Sequence, residues 1–405
     1  MKVIIILATL ALFPLATRAD DAHWPRFRGP GGCGSGPGLQ AAAEPANPKV
    51  QWTAELPGSG HSSPVIWGNH IFLTCQDPDQ QRRGLVCLDA TDGKLLWTNW
   101  QELSRYHIHG DNSFAAATPV ADADGIYLSW VNGDRVEALA FDHQGKTLWQ
   151  QKLGAFKATH GPGASPVVVG DVVVVTNDQE SPDAAIHGLD RRTGKQLWSI
   201  KRDSGNPSYA TPTPYRDAGG RTVLLHSSPA HGLTAIDPQD GGIIWSLGDL
   251  FTLNVVSSPV ISGDIVFASA GKGGSREAAV VSFADEKPRL LYQPARDMPY
   301  VPTPLVVGDH IYVWDDRGTA TCMEMKSGKV AWSEQVTGPT YTSPITDGKR
   351  IIGISRKGEM VTLAASPQFK ELGRLDLPEG THATPAIAHG SLYVRTFSRL
   401  IRFAP

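Results

Sequence analysis

Apolar residues in this chain fall in short runs, each closed by a polar stretch rich in Gly, Asp and Asn. Residues 165–200 show the pattern most plainly. Ser165 to Val169 and Val172 to Thr176 are two runs rich in β-branched side chains, which favour strands. Gly170-Asp171 between them leaves room only for a tight hairpin, where Gly accepts a positive φ. Asn177 to Ala184 reads as a polar loop, Ala185 to Asp190 as a third strand, Arg191 to Lys195 as a turn and Gln196 to Ile200 as a fourth strand. Strands joined by such short turns run antiparallel. No segment carries the period of an amphipathic helix, so the expected fold class is all-β.

The unit recurs along the chain. A hydroxyl residue and Pro open its first strand at Ser63-Pro64, Thr118-Pro119, Ser165-Pro166, Thr211-Pro212, Ser258-Pro259, Thr303-Pro304, Ser343-Pro344 and Thr384-Pro385. Successive prolines lie 55, 47, 46, 47, 45, 40 and 41 residues apart, the length of one four-stranded propeller blade. An acidic residue, a Gly-Lys type turn and an aromatic close the unit, best seen in Leu88 to Trp97 and Leu189 to Trp198. The fifth copy decays to Asp285-Glu286-Lys287-Pro288 and Tyr292, and the seventh, Leu363 to Leu372, keeps neither Gly nor Trp. Trp52, Trp97, Trp149, Trp198, Trp245, Tyr292 and Trp332 are thus expected to dock one blade on the next.

After Pro385 only three strands remain, while Val50 to Leu56 reads as an outer strand without its blade. Pairing the two gives an eight-bladed β-propeller of four-stranded antiparallel blades and removes two edges that would template aggregation. Residues 49–405 are then one domain, preceded by a leader at 1–19 and an arm at 20–48. The leader has Lys2, an apolar run from Val3 to Leu15 and small residues in Thr17-Arg18-Ala19, the marks of an export signal cleaved near Ala19. That places the product in the periplasm or outside the cell.

Net charge of −3 and a pI near 6.5 give no electrostatic footprint for nucleic acid, and neither the leader's apolar run nor any other is long enough for a typical membrane span. Export makes the four cysteines eligible for disulfides. Cys75 and Cys87 fall in adjacent strands of one blade, so a bridge between them is one expectation and buried free thiols the other. Asp122-Ala123-Asp124-Gly125 has part of a Ca²⁺ loop but lacks the closing Glu, and reads as a turn of blade two.

The Leu-Asp-x-x-Thr-Gly-Lys-x-x-Trp repeats and the Ser-Pro-Val-Ile-x-Gly-Asn strand resemble the tryptophan-docking propellers of the PQQ-like repeat superfamily. That resemblance spans residues 49–405. It implies one of two activities, since the superfamily holds PQQ-dependent dehydrogenases as well as the non-enzymatic BamB-type assembly protein. The arm Trp24-Pro25-Arg26-Phe27-Arg28-Gly29-Pro30 is similar to one preceding many secreted members. A dehydrogenase would hold PQQ with two adjacent cysteines, a Trp platform and a Ca²⁺ on Glu, Asn and Asp. No two cysteines are adjacent here, and no such ligand set aligns. The BamB-type protein carries a lipidated Cys directly after its leader, whereas Asp20-Asp21 follows Ala19 here. The expectation is therefore an exported, non-enzymatic, monomeric scaffold that binds a protein or envelope polymer, with no cofactor or metal. A divergent PQQ-dependent oxidoreductase, using PQQ with Ca²⁺, is the alternative.

Propeller geometry puts the loops before strand one and between strands two and three on a single face. The position three before each repeat Pro then rings the channel mouth: His61, Ala116, Gly163, Tyr209, Val256, Val301, Tyr341 and His382. His107, His109, Asn112, His160, His231, Asn254 and Tyr300 fall in loops on that face. These are the candidate ligand or partner contacts, with His61 and His382 made neighbours by ring closure.

Overall fold

A computed structural model describes residues 22–36, 48–217, 219–285, 287–294 and 298–404. The leader lies outside these residues. Eight antiparallel sheets form a ring of blades, and the chain is an eight-bladed β-propeller. Blade three has the expected order, with strands Val167–Val169, Val172–Asn177, Ala185–Asp190 and Gln196–Lys201 paired in sequence. The middle strands of each blade are apolar on both faces because each is sandwiched between neighbouring blades. The outer strands alternate, as in Gln196–Lys201, where Trp198 is buried while Gln196 and Leu197 are exposed.

Closure follows the expected path. Val50–Glu55 pairs with Arg399–Phe403 of the last blade, with Thr53 opposite Ile401 and Ala54 opposite Leu400. Glu55 and Arg399 add a 2.6 Å ion pair at the exposed end.

The tryptophans dock as the repeat implies, and the geometry explains the Gly beside them. A Cβ on Gly93, Gly145, Gly194 or Gly241 would come within 2.7, 2.6, 2.7 or 2.8 Å of Trp52, Trp97, Trp149 or Trp198, so only Gly lets the indole lie flat on the next blade's turn. Those glycines also sit at φ of 76°, 84°, 72° and 76°, where a Cβ is strained. The indole N–H groups of Trp97, Trp149, Trp198 and Trp332 donate to backbone carbonyls of the following blade. Where the turn has lost Gly, a phenylalanine replaces it. Trp245 stacks on Phe283 at 5.8 Å, and Trp332 meets Phe369 edge-on at 5.2 Å.

Two readings need correction. Cys75 and Cys87 are free thiols. Their strands do pair, but the register sets Cys75 opposite Gly84 and Cys87 opposite Phe72. The odd offset sends them to opposite faces of the blade, one packing among Ile354 and Val394 and the other among Ile126 and Leu128. Blade one has five strands rather than four, because His23–Trp24 adds to the inner edge of Val65–Trp67. The arm is therefore part of the propeller rather than a segment preceding it. The Asp122-Asp124 turn, as read, holds no Ca²⁺ loop geometry: both carboxylates pair with Arg191 at 2.6 and 2.8 Å.

The arm is a plug. It enters with His23 beside Trp67 and climbs to Trp24 beside Ile66. It then turns back at Arg26 to Gly29, whose ends are joined by a 2.9 Å bond, and leaves through Gly34 and Gly36, which bond Thr346. Trp24 and Arg28 are fully buried. Arg28 donates to five carbonyls, those of Gly32 and Cys33 in the arm and of Thr303, Pro304 and Pro344 in blades six and seven. Arg26 reaches the Pro212 carbonyl of blade four at 3.0 Å. One hairpin thus ties the inner edges of blades one, four, six and seven together.

Candidate functional site

The Ser/Thr-Pro motif builds a hydrogen-bonded belt around the channel. The N–H of Ser63 donates to Thr118 Oγ1 at 2.9 Å, and those of Thr118, Ser165, Thr211, Ser258, Thr303 and Ser343 each donate to the next blade's hydroxyl at 2.9–3.2 Å. The N–H of Thr384 donates back to Ser63 Oγ at 3.1 Å. The Pro that follows has no N–H, so this amide is the last donor before the strand, and only a short hydroxyl side chain brings an acceptor within reach. Among the described residues no acceptor takes the hydroxyls' own protons.

Above the belt the channel widens into a funnel of about 540 Å³. All eight residues three before the repeat prolines line it, as expected. Its floor is Phe27, at the tip of the plug, which reaches the belt from the opposite face. The funnel is blind because the arm fills the channel beneath it.

One wall of the funnel is a polar cluster from blades one, seven and eight. The His61 and His382 rings lie 4.5 Å apart. Arg356 Nε donates to His382 Nε2 at 3.3 Å, so the proton on that ring sits on Nδ1, 3.2 Å from the Asp111 carbonyl. The Arg356 guanidinium lies 4.5 Å over the Tyr341 ring and pairs with the Asp111 carboxylate, which also accepts from the Tyr341 hydroxyl at 3.3 Å. Burial, the neighbouring imidazole, Arg395 and Arg356 push His61 down to about 3. Burial and then Arg356 take His382 to about 4, against the opposing pull of Asp111. Both imidazoles are neutral at physiological pH.

The other wall carries His109 and His160, 5.3 Å apart, with the Tyr209 hydroxyl 3.4 Å from His160 Nδ1. His109 Nδ1 accepts from the Asp111 N–H at 3.2 Å. The same nitrogen lies 3.9 Å from the Asp111 carboxylate. Asn112 ties the His160 and Pro162 carbonyls together, at 2.6 and 3.2 Å. Tyr300 lies under Arg276 at 5.4 Å, and Arg276 pairs with Asp316 at 3.1 Å.

Of the expected contacts, His61, His109, Asn112, His160, Tyr209, Tyr300, Tyr341 and His382 line the funnel. His107, His231 and Asn254 do not. His107 is exposed outside it, His231 accepts from the Asp203 N–H at 3.3 Å, and Asn254 is buried behind Tyr300, bonded to its hydroxyl at 3.3 Å. Sequence reasoning missed Asp111, Arg276, Asp316, Arg356 and Phe27. Asp316 and Arg356 sit in the turns between strands two and three, on the face that carries the expected His and aromatic contacts, so the repeat geometry is a signal for them. Nothing in the repeat could have flagged Phe27. Among the described residues no group of three or more His, Cys, Asp or Glu is placed to hold a metal ion.

The model of a family described as the outer membrane protein assembly factor BamB matches residues 33–107, 82–293 and 299–394. An outer membrane protein assembly factor BamB of Vibrio cholerae is 27% identical over 150 residues, 36% of this chain and 34% of that protein. A 1-butanol dehydrogenase (cytochrome c) of Thauera butanivorans is 27% identical over 139 residues, 31% of this chain and 18% of that enzyme. The chain thus matches well under two thirds of the length of these relatives. The crystal structure of BamB from Moraxella catarrhalis superposes with a TM-score of 0.64 at 14% identity, covering 89% of this chain and 98% of that one. At that identity the likeness is one of fold.

Proposed function

The chain belongs to the BamB outer-membrane assembly factor family, and from that premise we propose that it is an exported, non-enzymatic scaffold that binds a protein or envelope polymer at its funnel face. The family resemblance reaches both assembly factors and dehydrogenases, so the choice rests on the funnel's own residues. The observation that carries it is the state of the two funnel carboxylates. Asp111 is held by Arg356 and Tyr341, and Asp316 by Arg276 and by the N–H groups of Tyr300 and Val301. Each is engaged by an arginine and by hydrogen-bond donors, and the two are not presented together with a Glu and an Asn as an oxygen set for Ca²⁺. The platform beneath is Phe27 rather than Trp, and no adjacent cysteine pair exists to grip a quinone. The residues present therefore do not fit a calcium-held PQQ, which supports the binding reading.

The leader-like segment supports export. Among the described residues no helix is long and apolar enough to cross a membrane.

The double substitution His61→Ala and His382→Ala tests the reading. Both rings face the funnel and His61 makes no side-chain hydrogen bond among the described residues, so the melting temperature should stay within a few degrees. Partners cross-linked to the wild-type protein in cell envelopes should be lost from the variant. Undiminished cross-linking with both imidazoles gone would move the site away from the funnel.

A further inference from the structure

Phe27 is a half-buried aromatic ring at the bottom of a cavity of mixed lining, where Tyr209, Tyr300 and Tyr341 stand on the walls, and among the described residues it has no aromatic partner of its own. Its position is costly to arrange. The arm must cross the channel, and Arg28 beside it adopts φ of 61°, a conformation uncommon outside glycine. Arg28 and Arg395, buried around the floor, are turned to the protein rather than to the funnel. All the hydrogen bonds of Arg28 end on carbonyls, and those of Arg395 on Ser62, Thr74 and Cys75, so none of these bonds reaches into the funnel.

The charges that do face the funnel are paired, Asp111 with Arg356 and Asp316 with Arg276. A cavity lined by paired charges, the neutral imidazoles of His61 and His382 and a belt of hydroxyls offers an occupant both donors and acceptors. An extended peptide would need free strand edges at the floor. The arm already occupies those of blades one and seven, through Ile66 and Thr346. A neutral ring with one apolar face for Phe27 and hydroxyls at its rim matches the groups that line the funnel.

We propose that the funnel is a saccharide site in which a pyranose ring of a neutral glycan stacks on Phe27 while its hydroxyls engage the Asp111–Arg356 pair, His61, His382 and the hydroxyl belt. The proposal rests on the funnel being the binding face and names the polymer as a glycan. It makes Phe27, carried in from the far side of the ring, a specificity-determining residue.

The test uses the full mature chain with maltotriose, cellotriose and triacetylchitotriose, followed by calorimetry and saturation-transfer NMR. At least one should bind with a dissociation constant of about 1 mM or tighter. Phe27→Leu keeps the apolar volume without the aromatic face and should weaken that binding about tenfold, a loss of about 1.4 kcal/mol. Phe27→Trp should retain it. Melting temperatures of both variants within a few degrees of wild type confirm that the plug is seated. If Phe27→Leu does not fold, NMR of ring-labelled Phe27 in the wild-type protein replaces it, and its signals must shift on adding the sugar. No binding by any of the three sugars, or equal binding by the Leu variant, overturns the proposal. If sugars fail while cross-linked partners are still lost with His61 and His382, the glycan inference falls and the binding face stands.

Discussion

Ser63 and Thr384 lie 321 residues apart in sequence and are joined by one hydrogen bond, the Thr384 amide donating to Ser63 Oγ at 3.1 Å. It is the last link of the belt and couples the first and last repeat prolines. On the outer edge the strand at residues 50–55 does the same through Arg399–Phe403. A ring closed at both radii leaves no strand edge exposed at the seam.

Removal of residues 20–56 is therefore expected to lower the melting temperature sharply, because it opens the outer seam and empties the channel. Removal of residues 20–40 alone is also expected to destabilise, since the carbonyls of Thr303, Pro304 and Pro344 lose Arg28 and Trp24 leaves the core. Treating the arm as a detached leader would have predicted little change for the shorter deletion. Thermal melts of the two truncations beside the full mature chain check this, and an unaltered melt for either would contradict the closure or the plug.

Trp198 is buried, donates to the Pro238 carbonyl at 3.0 Å and lies flat on Gly241. Trp198→Ala removes roughly 150–250 Å² of buried surface and should cost about 3–5 kcal/mol. Gly241→Ala should cost about 1–2 kcal/mol from its left-handed backbone alone, and more from the contact with the indole. Denaturant unfolding measures both; losses under about 1 kcal/mol would show that the docking contact does not hold the blades.

The His61 and His382 pair predicts a pH dependence. Both imidazoles have folded values well below their ordinary 6.5, at about 3 and about 4. The unfolded chain then binds protons that the folded chain does not, so stability is present above pH 6.5 and is lost as pH falls towards 4. The groups facing the pair are Arg395, Arg356 and Asp111, and only Asp111 opposes the shift. Other buried histidines, such as His226 and His187, are also lowered, so the contribution is read as a difference. Melting temperature plotted against pH from 7 to 4 should fall less steeply for the His61→Ala and His382→Ala variant than for wild type. Parallel curves would mean that the imidazoles are not buried as described.

Blade count, closure and the mouth ring were legible in the sequence because each rests on a short-range signal repeated many times. The repeat Pro, with the residue three before it, recurs in all eight copies, and the turn Gly survives in enough of them to mark the unit. Register was less accessible. Cys75 and Cys87 were placed in the right strands, but the face each occupies depends on a pairing offset that no local signal fixes. The polar wall was least accessible, since Asp111 meets Arg356 across 245 residues and neither occupies a repeated position. The plug has no copy elsewhere in the chain against which it could be recognised.

The central claim is that the funnel binds without redox chemistry, and one measurement separates the two branches of the family. The purified protein is incubated with PQQ and Ca²⁺, desalted, and assayed for dye-linked oxidation of primary alcohols and aldoses. With Asp111 and Asp316 spent on Arg356 and Arg276, the expected result is no stoichiometric retention of PQQ and no dye reduction above a denatured control. Stoichiometric retention together with substrate-dependent dye reduction would contradict the account and make the protein an oxidoreductase.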